Sequence, residues 1–362
     1  MVMRIMIMAG GTGGHVFPAL AVAEELRQQG AEVVWLGTRR GLEARVVPQA
    51  GFDIEWLTVA GLRHKGVVSW LLAPFTIARA MLQSMVVILQ RRPMVVLGMG
   101  GYATGPGGLV SWLLRIPLLI HEQNAVAGMT NRLLSHIATM VLAAFPGTFP
   151  SRVKPQVVGN PVRSTLTHMT APRQRMQGRS GPLRLLVIGG SLGAQVLNET
   201  VPRALARMAP HGRPQVWHQT GERHIDTTTE HYRQADIEVA RIEPFIDDMA
   251  EAYGWADIVI CRAGALTVTE LASAGVGAIL VPYPHAVDDH QTRNALYLVD
   301  SEAAILLPQE ELTPDALARL LGRFTDHDDR DYLVQMACAA RRLARPEAAQ
   351  HIASLCMESA HA

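Results

Sequence analysis

The spacing of apolar positions along the chain predicts one structural plan used twice. Arg4–Ala9 is a short apolar run, broken by the turn Gly10–His15. Pro18–Gln29 follows with Leu20, Ala23 and Leu26 on one side of a helix and Gly30 as its stop. Apolar runs at Glu32–Leu36, Met94–Leu97, Leu118–Ile120 and Thr139–Ala143 predict further strands. The pattern then restarts. Leu183–Ile188 is apolar, Gly189–Gly193 breaks it, and a helix is predicted from about Ala194. Strands are predicted at Gln215–Gln219, Ile258–Cys261, Ala278–Val281 and Ala304–Leu307. Strands alternating with helix-length segments predict an α/β fold with parallel, doubly wound sheets. The restart divides the chain into domains at 1–163 and 164–345, with Met169–Pro182 as linker or first loop. The final helical stretch, about 346–362, is expected to pack back on the first domain.

Composition narrows the class. A chain of 362 residues is long for a single core. With 49% hydrophobic and 18% charged residues it is not a disordered chain. Residues 1–163 hold 15 Lys/Arg and 7 Asp/Glu, a net of +8, and the remainder carries −7. A basic half facing a phosphate ligand or anionic headgroups explains this asymmetry; scattered surface charge is the plainer alternative. No nucleic-acid partner is read. Cys261, Cys338 and Cys356 form no CxxC pair, which fits a reducing cytoplasm. The opening MVMRIMIMAGG reads as a buried first strand rather than a signal peptide.

The glycine turns are the first candidate chemistry. Between strand and helix, such a turn lets backbone N–H groups approach a phosphate at the positive helix end. GGTGGH at Gly10–His15 fails the GxGxxG fingerprint, because the last required glycine falls on Val16. It also lacks the Gly-Lys-Ser/Thr of a nucleotide-triphosphate loop. Both failures count against a dehydrogenase and an NTPase. Tight turns for helix–sheet packing are the competing explanation. His15, directly after the glycines, suits a general base or an orienting group.

Cys261–Pro284 ends a strand at Cys261, turns at Gly264 and starts a helix near Ala265. A helix start can hold a diphosphate, and Glu270 can accept from a ribose diol or simply face solvent. The polar loop Pro284–Ala295 suits sugar hydroxyls. Metal ligation is weakly supported: Asp326-His327-Asp328 reads as an exposed loop, and Asp288-Asp289 lacks cage-like spacing. Val67–Leu89 has the length of a membrane span, but Pro74, Arg79 and Gln83 argue against one. It reads instead as a helix from Pro74 with Phe75, Ala78, Met81, Leu82, Met85 and Leu89 on one apolar side. Arg63, Lys65, Arg79, Arg91 and Arg92 surround it, as on a surface resting on an anionic bilayer. An ordinary core helix is the alternative.

The strings MAGGTGGHVFPALAVAEEL, LGMGGYATGP, HEQNAVAG, VGNPVR, GGSLGA, FIDDM and CRAGALTVTELA occur in that order. Over about Met8–Ala295 the chain resembles the MurG family of N-acetylglucosaminyltransferases. The resemblance implies the GT-B fold, two Rossmann-like domains with an interdomain cleft. It implies an inverting hexosyltransferase that moves N-acetylglucosamine from UDP-N-acetylglucosamine to the muramyl 4-hydroxyl of lipid I. The product, lipid II, serves peptidoglycan synthesis, and with it cell-wall biogenesis, cell shape and division. Implied partners are lipid I, an anionic membrane surface and other wall-synthesis proteins. The implied location is peripheral, on the cytoplasmic face of the inner membrane.

By the same resemblance, Thr12, Gly13 and Gly14 lie beside the donor's phosphate and sugar, and Asn124 reaches the sugar. Arg163 and Ser191 reach the nucleotide or diphosphate, and Ile246 borders the uracil through its backbone. Ala265, Leu266, Thr267, Val268, Thr269 and Glu270 cover the diphosphate and ribose, with Glu270 on the ribose diol. Gln291 contacts the sugar hydroxyls, and His15 is the candidate base. No metal cofactor is implied, since helix N–H groups with Arg163 and Ser191 can stabilise the leaving diphosphate. One departure stands out: some members place two glutamines where this chain has His290-Gln291. Two rival enzymes remain, a sugar-nucleotide 2-epimerase and a transferase acting on a diacylglycerol acceptor. A non-catalytic nucleotide-sugar binder is the third alternative. The HEQNA and GGTGGH strings favour the transferase over the epimerase.

Overall fold

The computed structural model describes residues 2–58, 73–190, 193–325 and 330–361. The chain forms two compact units, Met1–Val162 with Arg345–Ala362, and Arg163–Ala344.

The first unit is built on a seven-stranded parallel sheet. Its elements run β1 (Arg4–Met8), α1 (Gly13–Gln28), β2 (Glu32–Thr38), α2 (Glu43–Gln49), β3 (Asp53–Leu57), α3 (Ala73–Arg91), β4 (Val95–Gly98), α4 (Thr104–Leu113), β5 (Leu118–Glu122), α5 (Met129–Leu134), β6 (Met140–Ala143) and β7 (Gln156–Val157). The strand order is β3-β2-β1-β4-β5-β6-β7. β1 is central, with Ile5 opposite Val33 on β2 and Val95 on β4. Strands covered on both faces read as unbroken apolar runs, which is why β1 lacks alternation. Ile5 and Ile7 face a core shared with Val16, Ala19, Val22, Ala23 and Leu26 of α1. Met6 and Met8 face the opposite core, with Ile88 of α3 and Val110 of α4.

The second unit holds a six-stranded parallel sheet, order β10-β9-β8-β11-β12-β13. Its elements are β8 (Arg184–Ile188), α6 (Gln195–Ala206), β9 (Gln215–Gln219), α7 (Ile225–Gln234), β10 (Arg241–Glu243), α8 (Met249–Trp255), β11 (Ile258–Cys261), α9 (Ala265–Ala274), β12 (Gly277–Leu280), α10 (His290–Val299), β13 (Ala304–Leu306), α11 (Pro314–Gly322) and α12 (Arg330–Arg342). A last helix, α13 (Ala348–His361), belongs to the first unit. It places Ile352, Ala353, Leu355 and Cys356 in the core with α1.

Three differences from the sequence reading have local causes. α1 starts at Gly13 rather than Pro18, so two poor helix formers make its first turn. β3, β7 and β10 were not predicted; β3 and β10 are half-exposed edge strands, and β7 has two residues. The single apolar side expected of α3 is corrected to two. Ala80, Ser84, Val87 and Ile88 face the core, while Phe75, Ile77, Leu82, Val86 and Leu89 are exposed. Arg91 is also not a free rim cation, since it pairs with Glu55 at 2.6 Å and Asp53 at 3.7 Å. Arg63, Lys65 and the stretch 67–72 lie outside the described residues. Among those described, no helix is long and apolar enough to cross a membrane.

Candidate functional site

In an open parallel sheet, loops at the carboxyl ends diverge where the strand order reverses, and ligands bind there. The first sheet reverses between β1 and β4, the second between β8 and β11. Thr12 to His15 follow β1 and Ala265 to Glu270 follow β11, at these two reversals.

In the first unit the loops after β1 and β4 meet without side chains between them. Gly10 N donates to Gly100 O at 3.3 Å, and a Cβ on Gly101 (φ +90°) would lie 2.4 Å from Gly10 O. Beneath them Glu43 is fully buried. Its carboxylate accepts from Gly11 N at 2.9 Å, Thr38 N at 3.0 Å and Thr38 Oγ1 at 2.7 Å. The carboxylate therefore pins the loop after β1 to the end of β2. Thr12 caps α1 with extended backbone and makes no side-chain cap bond. Gly13 and Gly14 form the half-buried first turn, whose N–H groups a helix cannot satisfy internally.

His15 follows on α1, half-buried, with Nδ1 3.0 Å from Gln123 Oε1. A Cβ on Gly100 would lie 2.4 Å from that Nδ1, so the ring needs glycine there. Gln123 Nε2 donates to Met99 O at 2.8 Å and lies 3.2 Å from His121 Nδ1. His121 Nε2 lies 2.9 Å from Gly159 O. Asn124 is drawn toward Glu122, whose Oε1 accepts from Asn124 N at 3.0 Å and from Nδ2 at 3.2 Å.

In the second unit, Gln219 at the end of β9 links the turn after β8 to the predicted residue Ile246. Its Nε2 donates to Gly190 O at 3.0 Å and its Oε1 accepts from Ile246 N at 3.1 Å. Ile246 thus has its N–H engaged within the protein. Ser191 lies outside the described residues. α9 opens at Ala265 after Gly264, and Val268 N donates to Gly264 O at 2.9 Å. Leu266 and Thr267 are half-buried, whereas Ala265, Val268 and Thr269 are buried. Val268 is fully enclosed, and the Thr269 hydroxyl donates back to Ala265 O at 2.9 Å. From Val268 onward the N–H groups are used within the helix, so only those of Ala265, Leu266 and Thr267 precede its first internal bond.

Glu270 is 8% exposed, and burial pushes its carboxyl up to about 7 against the pull of Arg163 and of a hydrogen bond from Tyr253. Tyr253 Oη donates to Glu270 Oε2 at 3.2 Å. The Arg163 guanidinium donates to Asp247 O at 3.2 Å. Arg163, Tyr253 and Glu270 therefore form one cluster. Gln291 stands at the start of α10, where its Oε1 accepts from Tyr283 N at 2.9 Å, and His290 precedes it half-buried. No cluster of three or more metal-ligating side chains occurs among the described residues, and Asp326-His327-Asp328 lies outside them.

Sequence reasoning missed Glu43, His121, Gln123 and Tyr253. His121 and Gln123 lie within the HEQNA string, in which the resemblance implies a role for Asn124. Glu43 and Tyr253 carry no local signal, because their partners lie on other elements.

A second surface of the first unit is apolar. Exposed apolar residues also occur on neighbouring helices: Trp112 and Leu113 at the end of α4, and Met129 and Leu133 one turn apart on α5. α3 packs on α4, and α4 on α5. Arg79 and Arg92 are exposed on the same stretch.

The glycosyltransferase family 28 N-terminal domain matches residues 5–143 and the family 28 C-terminal domain matches 184–352. The UDP-N-acetylglucosamine–N-acetylmuramyl-(pentapeptide) pyrophosphoryl-undecaprenol N-acetylglucosamine transferase of Nitrosococcus oceani is 56% identical over 360 residues, 99% of each chain. Its counterpart in Alkalilimnicola ehrlichii is 57% identical, across 99% of this chain and 100% of that one. The crystal structure of Acinetobacter baumannii MurG has a TM-score of 0.85 at 43% identity, covering 98% of this chain and 99% of that one. A UDP-N-acetylglucosamine 2-epimerase shares the fold, with a TM-score of 0.63 at 13% identity and coverage of 97% and 95%.

Proposed function

From the premise that this chain belongs to glycosyltransferase family 28, among the MurG transferases, we infer how its residues divide the work. The protein is a UDP-N-acetylglucosamine-dependent transferase. It adds N-acetylglucosamine to the muramyl 4-hydroxyl of lipid I and forms lipid II for peptidoglycan. The observation that carries this activity is identity above half across the whole chain with transferases of that name.

The reaction is a displacement at the anomeric carbon. The acceptor hydroxyl attacks, UDP leaves from the opposite face, and the configuration inverts from α to β. His15 takes the hydroxyl proton. Negative charge grows on the leaving diphosphate, and the first-turn N–H groups of α9 with Arg163 and Ser191 meet it. Glu270 accepts from the ribose diol, and the Ile246 carbonyl accepts from the uracil. Gln291 and Asn124 hold the sugar, while Thr12, Gly13 and Gly14 offer backbone to its phosphate side. With these groups in place, turnover is expected to survive EDTA. Loss of activity restored by Mg²⁺ would overturn that charge assignment.

The exposed apolar surface of α3, α4 and α5, with Arg79 and Arg92, rests on the anionic cytoplasmic face of the inner membrane, where a lipid-linked acceptor lies. The central test is product formation from UDP-N-acetylglucosamine and a lipid I analogue. UDP released only with the acceptor, together with a disaccharide product, is the expected outcome. Free epimerised sugar would favour the 2-epimerase reading.

A further inference from the structure

We propose that Gln123, oriented by His121, fixes the tautomer of His15, so that Nε2 presents its lone pair and Nδ1 carries the hydrogen. The chain of bonds begins at a group with no choice. Gly159 O only accepts, so His121 Nε2, 2.9 Å away, must donate. His121 is fully buried, and burial holds its imidazole at about 4, neutral at physiological pH. Its Nδ1 is then an acceptor. The Gln123 amide nitrogen gives one hydrogen to Met99 O at 2.8 Å and the other to His121 Nδ1 at 3.2 Å. A flipped amide would set its oxygen against two acceptors, so these neighbours decide the orientation. Gln123 Oε1 therefore faces His15 Nδ1 at 3.0 Å and only accepts. In neutral His15 the hydrogen must sit on Nδ1.

The supports of this chain are buried. Gln123 is 1% exposed, and its own carbonyl accepts from Asn160 Nδ2 at 2.9 Å. Two carboxylates lie nearby, and both are engaged elsewhere. Glu122 accepts from Asn124, Gly128 and Asn131, and Glu43 accepts from Gly11 and Thr38. A neutral amide backed by a neutral imidazole orients a base without adding an anion to stabilise its protonated form. This differs from a carboxylate-backed histidine, where the anion does both. Gln123 and His121 are thus positioning residues, and their catalytic consequence rests on the reading of His15 as base.

Side-chain nitrogen NMR of the full chain, without substrates, tests the tautomer directly. The His15 signals are assigned by their absence in His15→Gln. A neutral His15 protonated at Nδ1 is the expected result, and protonation at Nε2 overturns the proposal; neither outcome depends on a Gln123 variant folding. Kinetics then tests the consequence. Gln123→Met is expected to lower kcat by about tenfold or more, with KM for UDP-N-acetylglucosamine within about twofold of wild type. Gln123→Glu places an anion beside the imidazole, favours its protonated form, and moves the acid limb of the pH profile up by about one unit. An unmoved limb, with both variants within about threefold of wild-type kcat, overturns the positioning role even where His15→Gln is inactive. Conversely, a His15→Gln enzyme within about threefold of wild type removes the base reading, and NMR still judges the tautomer independently.

Discussion

Glu270 and Tyr253 are both buried, and the carboxyl is raised to about 7 chiefly by that burial. An acid whose folded pKa exceeds its unfolded value takes up protons on folding, so its ionised form costs stability. That cost grows as pH rises from the ordinary value of 4.5 toward 7 and is complete above it. Glu270→Gln is therefore expected to stabilise the second unit at pH 8, on the order of 3 kcal/mol, with most of the gain gone near pH 5. Calorimetry at the two pH values reads the difference. The same variant is expected to raise KM for UDP-N-acetylglucosamine, and the wild-type KM should climb as pH falls below 7, by up to about tenfold per unit. A flat wild-type KM would separate Glu270 from the ribose. Glu43 tests the other glycine turn. Glu43→Gln keeps the oxygen facing Thr38 but sets an amide against the Gly11 N–H, at a cost of about 1–3 kcal/mol. Chemical denaturation should show that loss, together with a lower kcat from a loosened turn.

At the scale of elements, α3 is apolar on both sides, one facing the core and one facing outward. Replacing Leu82 and Val86 by Glu leaves the buried side intact and places two anions on the exposed one. Flotation with vesicles rich in anionic lipid should be lost in this variant, while its Tm stays close to wild type. Retained flotation would place the membrane contact elsewhere. The central strands were legible because burial on both faces leaves short apolar runs bounded by glycine, as at Ile258–Cys261, which matches β11 residue for residue. Edge strands β3 and β10 were not, since half-exposed positions blur the pattern and few residues carry it. The two-sided nature of α3 was also hidden, because an apolar residue reads the same whichever surface it covers. The glycine turns and Glu270 were readable from their neighbours in sequence. His121 and Gln123 act through atoms on Gly159, Met99 and His15, and long-range pairing leaves no periodicity to detect.

For the whole molecule, the first unit is interrupted: the second is inserted between Val162 and Arg345, and α13 completes the first. α13 buries Ile352 and Cys356 completely against α1 and the sheet. Burying one side chain such as Ile contributes about 1.5–3 kcal/mol, against a domain stability of about 5–15 kcal/mol. A chain ending at residue 345 is thus expected to lose the fold of its first unit and keep that of its second. Limited proteolysis should then leave a resistant fragment spanning about 163–344. A resistant first unit in that truncated chain would show α13 to be dispensable. The same insertion orders events at the ribosome. Because α13 follows every residue of the second unit, it emerges after that unit has left the exit tunnel. The second unit therefore finishes folding while the first, although begun earlier, still waits for its closing helix. A nascent chain stalled in that interval is expected to leave uncovered the apolar side of α1 that α13 covers in the folded protein.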